Sequence, residues 1–296
     1  MLLSAYDLST PMAMRNSCRS ATVRLPGTCG EWVQGTLDGV PCLVSCAIDW
    51  YAETTVTIGA NGRPLLRDAP KAAAALRLAL AARGAATADV QLELRNPLPR
   101  SRGYASSTAD VAGAIYAVGA ALGWPFAPEE VARLAVQVEP SDSTIFPQLT
   151  LFAHRDARFY RPLPPLPALA VVILDPGGEI DTLAFNAADH MAALRKLASA
   201  HRDVFTCFEA GLAASDPVIV AQAATQSARL HQAILPSALV DAALISYATL
   251  GALGVCRAHS GTLVGLICRP ENAVEVAQRA RARFSEVVVR IHRCLG

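Results

Sequence analysis

The sequence predicts an α+β chain of two units, and three observations carry that reading. Strand-like and helix-like segments follow one another without the regular β-α-β rhythm of a doubly wound parallel sheet. A proline-rich stretch, RPLPPLPALA at 161–170, marks a hinge between two halves. Hydrophobic residues make up 52% and charged residues 17% of the 296 positions, enough apolar surface for two modest cores and too much for disorder. The expected units are 20–160 and 161–296, behind a loose N-terminal extension, 1–19.

Taken in order, Val23–Leu25 opens a short strand that runs into a turn at Pro26-Gly27. The apolar run 42–48 and the alternating Tyr51–Ile58 predict a strand pair. Alanine-rich 69–83 is helical, and Gly84 stops it. Val90, Leu92 and Leu94 alternate with Gln91, Glu93 and Arg95, as in a half-buried strand. Ala105–Leu122 is a small-residue helix, apolar on nearly every side and therefore buried. Another helix spans 126–138 before Pro140. The second half predicts a strand at Ala170–Leu174, helices over 184–213, 216–234 and 237–249, a strand at 261–268, an arginine-rich helix at 271–283 and a last strand at Val287–Ile291.

With 26 basic and 25 acidic side chains the net charge is +1, so no global field draws nucleic acid or an anionic membrane as main partner. No run approaches the roughly 18 apolar residues of a membrane span. The first twenty residues lack the apolar region of a signal peptide, and initiation at Met12 or Met14 is compatible with them. Cysteines stand at 18, 29, 42, 46, 207, 256, 268 and 294, several within apolar runs and without zinc-site spacing. They are expected as reduced thiols in a cytoplasmic protein.

Four segments carry chemistry. In PLPRSRGYASST (97–108) a glycine-containing loop enters a helix whose first turn is Ala-Ser-Ser-Thr. Free N–H groups, the positive dipole end and three hydroxyls make an anion cradle there. Arg100 and Arg102 can add bonds to phosphate oxygens, and Ser106 or Ser107 can reach a phosphate-bound Mg²⁺. The plainer alternative is that one of these serines only caps the helix. Neither Walker A nor G-x-S-x-G spacing is present. In PGTCGEWVQG (26–35) three glycines flank Glu31 and Gln34, either as a turn that grips a small polar substrate or as a hairpin turn with a surface glutamate. In VEPSDST (138–144) Glu139 and Asp142 bracket a proline, suited to Mg²⁺ and to the attacking hydroxyl, or equally to a solvated helix end. In GVCRAHSGTLVG (254–265) a small-residue loop places Arg257, His259 and Ser260 near a bend, to close over substrate or simply to connect strands.

The order of these motifs resembles the GHMP kinase superfamily over residues 21–296. Within it, PGTCGEWVQG, CAIDWY (46–51), SRGYASSTAD (101–110), EPSDSTIFP (139–147) and RAHSGTLVG (257–265) resemble the L-threonine kinase branch of cobalamin biosynthesis. The resemblance implies a two-lobed fold, with an N-terminal α/β lobe and a C-terminal ferredoxin-like α+β lobe. ATP would be held by Pro99, Arg100, Ser101, Arg102, Gly103, Tyr104, Ala105, Ser106, Ser107 and Thr108. It implies Mg²⁺ on Ser107 and Glu139, with Asp142 as base for the substrate hydroxyl, although Glu139 and Asp142 stand close enough to exchange roles. L-threonine would contact Gly27, Thr28, Cys29, Glu31, Gln34, Asp142, His259, Ser260 and Gly261. L-homoserine is the competing substrate, a non-catalytic metabolite-binding protein the competing class, and a homodimer an allowed assembly.

Overall fold

The computed structural model describes residues 19–59, 69–178 and 190–296. Two long strands organise it: β1 (Arg19–Leu37) and β2 (Val40–Ile58) form an antiparallel hairpin closed at Asp38-Gly39. Gly39 has φ 79° and Asp38 φ 48°, the left-handed pair that a two-residue hairpin turn requires. The apolar run 42–48 and the alternating 51–58 are therefore one strand and not two that pair with each other. β3 (Val90–Arg95) pairs with β2 as its alternation predicts.

Two further strands, β4 (Thr150–Phe152) and β5 (Tyr160–Pro162), extend the sheet beside β2. On the other side follow β7 (Gly254–Arg257), β8 (Val264–Cys268), β6 (Ala170–Asp175) and β9 (Val288–Arg293). Among the described residues nine strands make one antiparallel sheet in the order β5-β4-β2-β1-β7-β8-β6-β9, with β3 also on β2.

Helices cover this sheet, so the α+β class holds. The described helices are α1 (Pro70–Ala82), α2 (Ser106–Leu122), α3 (Pro128–Ala135), α4 (Met191–Lys196), α5 (Ala198–Ala213), α6 (Pro217–His231), α7 (Ala238–Ser246) and α8 (Ala273–Arg283). The expected 184–213 helix is broken at Leu197, and its start at 184–189 lies outside the described residues, as do residues 1–18. Seven cysteines are free thiols; Cys18 is outside the described residues. No described helix is long and apolar enough to cross a membrane.

Strand alternation divides the core. Val171 and Ile173 of β6 enter a large cluster with α2, β1 and α5, while Ala170, Val172 and Leu174 pack on the opposite face with α7 and α8. α2 runs through the larger cluster, with Val111, Ala114, Ile115 and Val118 fully buried. Its small residues permit close approach: a Cβ on Gly113 would lie 2.5 Å from the Thr54 hydroxyl of β2. That packing fixes the start of α2 against the centre of the sheet.

Candidate active site

The N-terminus of α2 opens into a cleft of about 310 Å³, lined also by the start of α1, the 99–105 loop, Glu139, Asp142 and the His259-Ser260 bend. Ala105 occupies the position before the helix in a left-handed conformation, φ 58°, and no side chain caps the first turn. The capping alternative for Ser106 and Ser107 is thereby overturned. Asn96 Nδ2 donates to Ser106 Oγ at 3.1 Å and to Asp110 at 2.8 Å. Ser107 instead donates its hydroxyl to Glu139. The uncapped first turn, with its dipole, faces the cleft.

Glu139 receives a second donor that the sequence reading missed. Lys71 Nζ, from the first turn of α1, lies 2.5 Å from Glu139 Oε2. A signal existed: a lysine directly after Pro70 at a helix start opposes the helix dipole. Asp142 is held by Thr108, whose hydroxyl donates to Oδ2 at 2.7 Å and accepts from the Asp142 N–H at 3.1 Å. Burial raises the Asp142 carboxyl above its ordinary value, opposed by the bonds to Thr108 and Glu31.

Glu31 is the least expected member. The 26–35 segment is not a turn but the irregular middle of β1, with register shifts between Pro26 and Val33. Those bulges re-aim the strand and leave Glu31 only 3% exposed, which overturns the surface-glutamate alternative. Its Oε2 has no hydrogen-bond partner, and its side chain meets Asp142. Burial first, then the Asp142 charge, holds the Glu31 carboxyl well above its ordinary range, which favours its protonated form.

All the expected nucleotide-loop residues except Arg102 line the cleft, and of the expected substrate residues Glu31, Asp142, His259 and Ser260 do. Gly27, Thr28, Cys29, Gln34, Gly261 and Arg102 are not among its lining residues. Arg102 NH1 is engaged by fully buried Asp175 at 3.2 Å, which also accepts from Tyr104 OH at 3.1 Å. Gln34 Oε1 lies 2.6 Å from His259 Nδ1 and so sets that ring's position. Burial, with the Arg155 and Arg257 charges, pushes His259 down to about 3, leaving it neutral at ordinary pH.

The glycines explain the rest. Thr28 N donates to Tyr104 O at 3.1 Å and Gly30 N to Gly103 O at 3.2 Å, while Thr262 N and Leu263 N both reach Arg102 O. A Cβ on Gly30 would lie 2.3 Å from the Arg257 carbonyl, and one on Gly261 2.2 Å from Arg102 O. Three motif segments thus interlock backbone to backbone, and glycine is what lets them meet.

The donors present suit a small hard cation: the Ser107 hydroxyl and the Glu139 carboxylate touch one another beside a helix start that favours phosphate. Among the described residues no group of three or more His, Cys, Asp or Glu is placed to hold a metal ion. Two protein oxygens are what Mg²⁺ takes when phosphates complete its shell.

Residues 70–146 match the family model described as GHMP kinases N terminal domain. An L-threonine kinase of Salmonella typhimurium is 30% identical over 250 residues, covering 83% of this chain and 82% of that protein. An L-threonine kinase of Citrobacter freundii is 32% identical over 250 residues, covering 83% and 86%. The crystal structure of homoserine kinase from Cytophaga hutchinsonii is similar with a TM-score of 0.70 at 18% identity, covering 96% of each chain.

Proposed function

This chain belongs to the GHMP kinase family, and we propose that it transfers the γ-phosphoryl of ATP to the side-chain hydroxyl of free L-threonine. The products are L-threonine O-3-phosphate and ADP, and use of the phosphate in the aminopropanol linker of cobalamin is part of the same reading. The observation that carries the chemistry is one cleft holding the uncapped start of α2, the Ser107–Glu139 contact and the Thr108–Asp142 pair. The two L-threonine kinases at 30% and 32% identity support the substrate.

In this reading the loop 99–105 and the first turn of α2 hold the triphosphate, with Arg100 at its rim. Ser107 and Glu139 hold Mg²⁺, which screens the phosphate charge when bound. Asp142, kept in place by Thr108, accepts the hydroxyl proton as the new O–P bond forms and the β–γ bridge breaks to release ADP. The assignment of metal to Glu139 and base to Asp142 is favoured by their surroundings. Glu139 already sits beside a cation, whereas Asp142 adjoins the buried Glu31 carboxyl, whose protonated form burial favours. Glu31, His259 and Ser260 complete the substrate's surroundings, with Gln34 acting through His259. The division into lobes at 160/161, a cytoplasmic location and a homodimer belong to the same proposal.

The test is a substrate panel. Protein with ATP and Mg²⁺ is offered L-threonine, L-serine, L-homoserine and a set of sugars while ADP release is followed. Stimulation by L-threonine above all others is expected. Stimulation by L-homoserine alone would move the chain to the competing substrate, and no stimulation by anything would favour a binding protein.

A further inference from the structure

We propose that Lys71 is a catalytic counter-ion that changes partner during turnover: it neutralises Glu139 in the free protein and passes to the triphosphate when the nucleotide binds, leaving Glu139 to the metal. The inference rests on the reading of Glu139 as a metal ligand. Both oxygens of that carboxylate are occupied, one by the Ser107 hydroxyl and the other by the Lys71 ammonium at 2.5 Å. A cation that binds there must displace the ammonium, because two positive charges cannot share the Glu139 oxygen at contact distance without strong repulsion.

The released side chain has somewhere to go. Lys71 is 37% exposed against 12% for Glu139, so the ammonium is the partner able to swing. Its flexible four-carbon stem suits a moving point charge better than a fixed fork would. Lys71, Arg100 and the first turn of α2 line the same cleft, so a triphosphate held at α2 lies within the ammonium's reach. The position is costly without such a partner. Lys71 follows Pro70 in the first turn of a 13-residue helix, where the dipole repels a cation. Glu139 offsets that repulsion before the nucleotide binds, and phosphate oxygens do so afterwards. An ammonium against the phosphates also stabilises charge that builds on the transferring group and the leaving oxygen.

The test uses the whole protein, a non-hydrolysable ATP analogue and Mn²⁺ in place of Mg²⁺, with free Mn²⁺ read by electron paramagnetic resonance. For Lys71→Met, metal-free analogue should bind roughly ten-fold more weakly, since a charge-assisted phosphate contact is gone. Mn²⁺ should bind the protein–analogue complex about three- to five-fold more tightly, because a competing cation has been removed. The kcat should fall about 10²-fold, and Lys71→Arg should restore analogue affinity. A residue that only braces the fold would not move metal and nucleotide affinity in opposite directions. Unchanged analogue affinity, or weaker Mn²⁺ binding, in Lys71→Met would overturn the proposal. Glu139→Gln in the same titration judges the underlying reading separately: Mn²⁺ affinity equal to that of the unaltered protein would remove Glu139 from the metal, whatever Lys71→Met shows.

Discussion

Glu31 and Asp142 meet at the inner side of the cleft, and burial disfavours charge on both. The shift is the stronger on Glu31, which is the more deeply enclosed, whereas Asp142 has Thr108 to support its anion, so a shared proton is favoured on Glu31. The proton has a measurable consequence. An unfolded chain releases it above the ordinary value of 4.5, whereas the folded protein retains it. Stability contributed by Glu31 is therefore greatest in acid and declines as pH rises towards its elevated folded-state value. Glu31→Gln keeps the shape and a donor for Asp142 but removes that decline. Its Tm should exceed that of the unaltered protein at about pH 8 and converge with it near pH 4; a difference independent of pH would contradict the assignment. The sequence made Glu31 a candidate but could not tell a buried carboxyl from a surface one. That distinction comes from bulges in β1, which no residue pattern announces.

At the level of elements, the interlock of β1, the nucleotide loop and the β7–β8 loop is held by main-chain bonds across glycines. Gly261→Ala places a methyl group 2.2 Å from Arg102 O and must break the bonds from Thr262 N and Leu263 N to that oxygen. At about 1 kcal/mol each, the expected loss is about 2 kcal/mol in urea unfolding, together with a raised KM for ATP because the loop 99–105 shifts. Unaltered stability and KM would show that the loops are not tied this way. Period explains which elements could be foreseen. α2 announces itself through seventeen residues of small and apolar side chains, and β3 through strict alternation. β4 and β5 have three residues each, too few to show a period, and β7 was hidden inside what reads as a small-residue loop. Arg102 shows a related limit: its spacing suits phosphate, and only the fold reveals that Asp175, seventy-three residues away, engages its guanidinium.

Across the whole molecule, one sheet carries the 26–35 and 254–265 segments, and the start of α2 and the turn after α3 bring 97–108 and 138–144 to the same cleft. The order of the motifs made the family legible, and four of the nine expected substrate residues do line the cleft. The other five, Gly27, Thr28, Cys29, Gln34 and Gly261, do not line it, although Thr28, Gln34 and Gly261 contact residues that do, a distinction motif order does not carry. Lys71 was missed because its one signal, a cation at a helix start, belongs to no motif. The central claim is that this cleft moves phosphate from ATP to a β-hydroxyl with Asp142 taking the proton. It is tested most directly by ³¹P NMR of protein, MgATP and L-threonine. A phosphomonoester signal coupled to the threonine β-proton should grow with ADP, and Asp142→Asn should slow its appearance by roughly 10²–10⁴-fold. ADP formed with inorganic phosphate alone, or an Asp142→Asn protein within a factor of about ten of the unaltered rate, would contradict it.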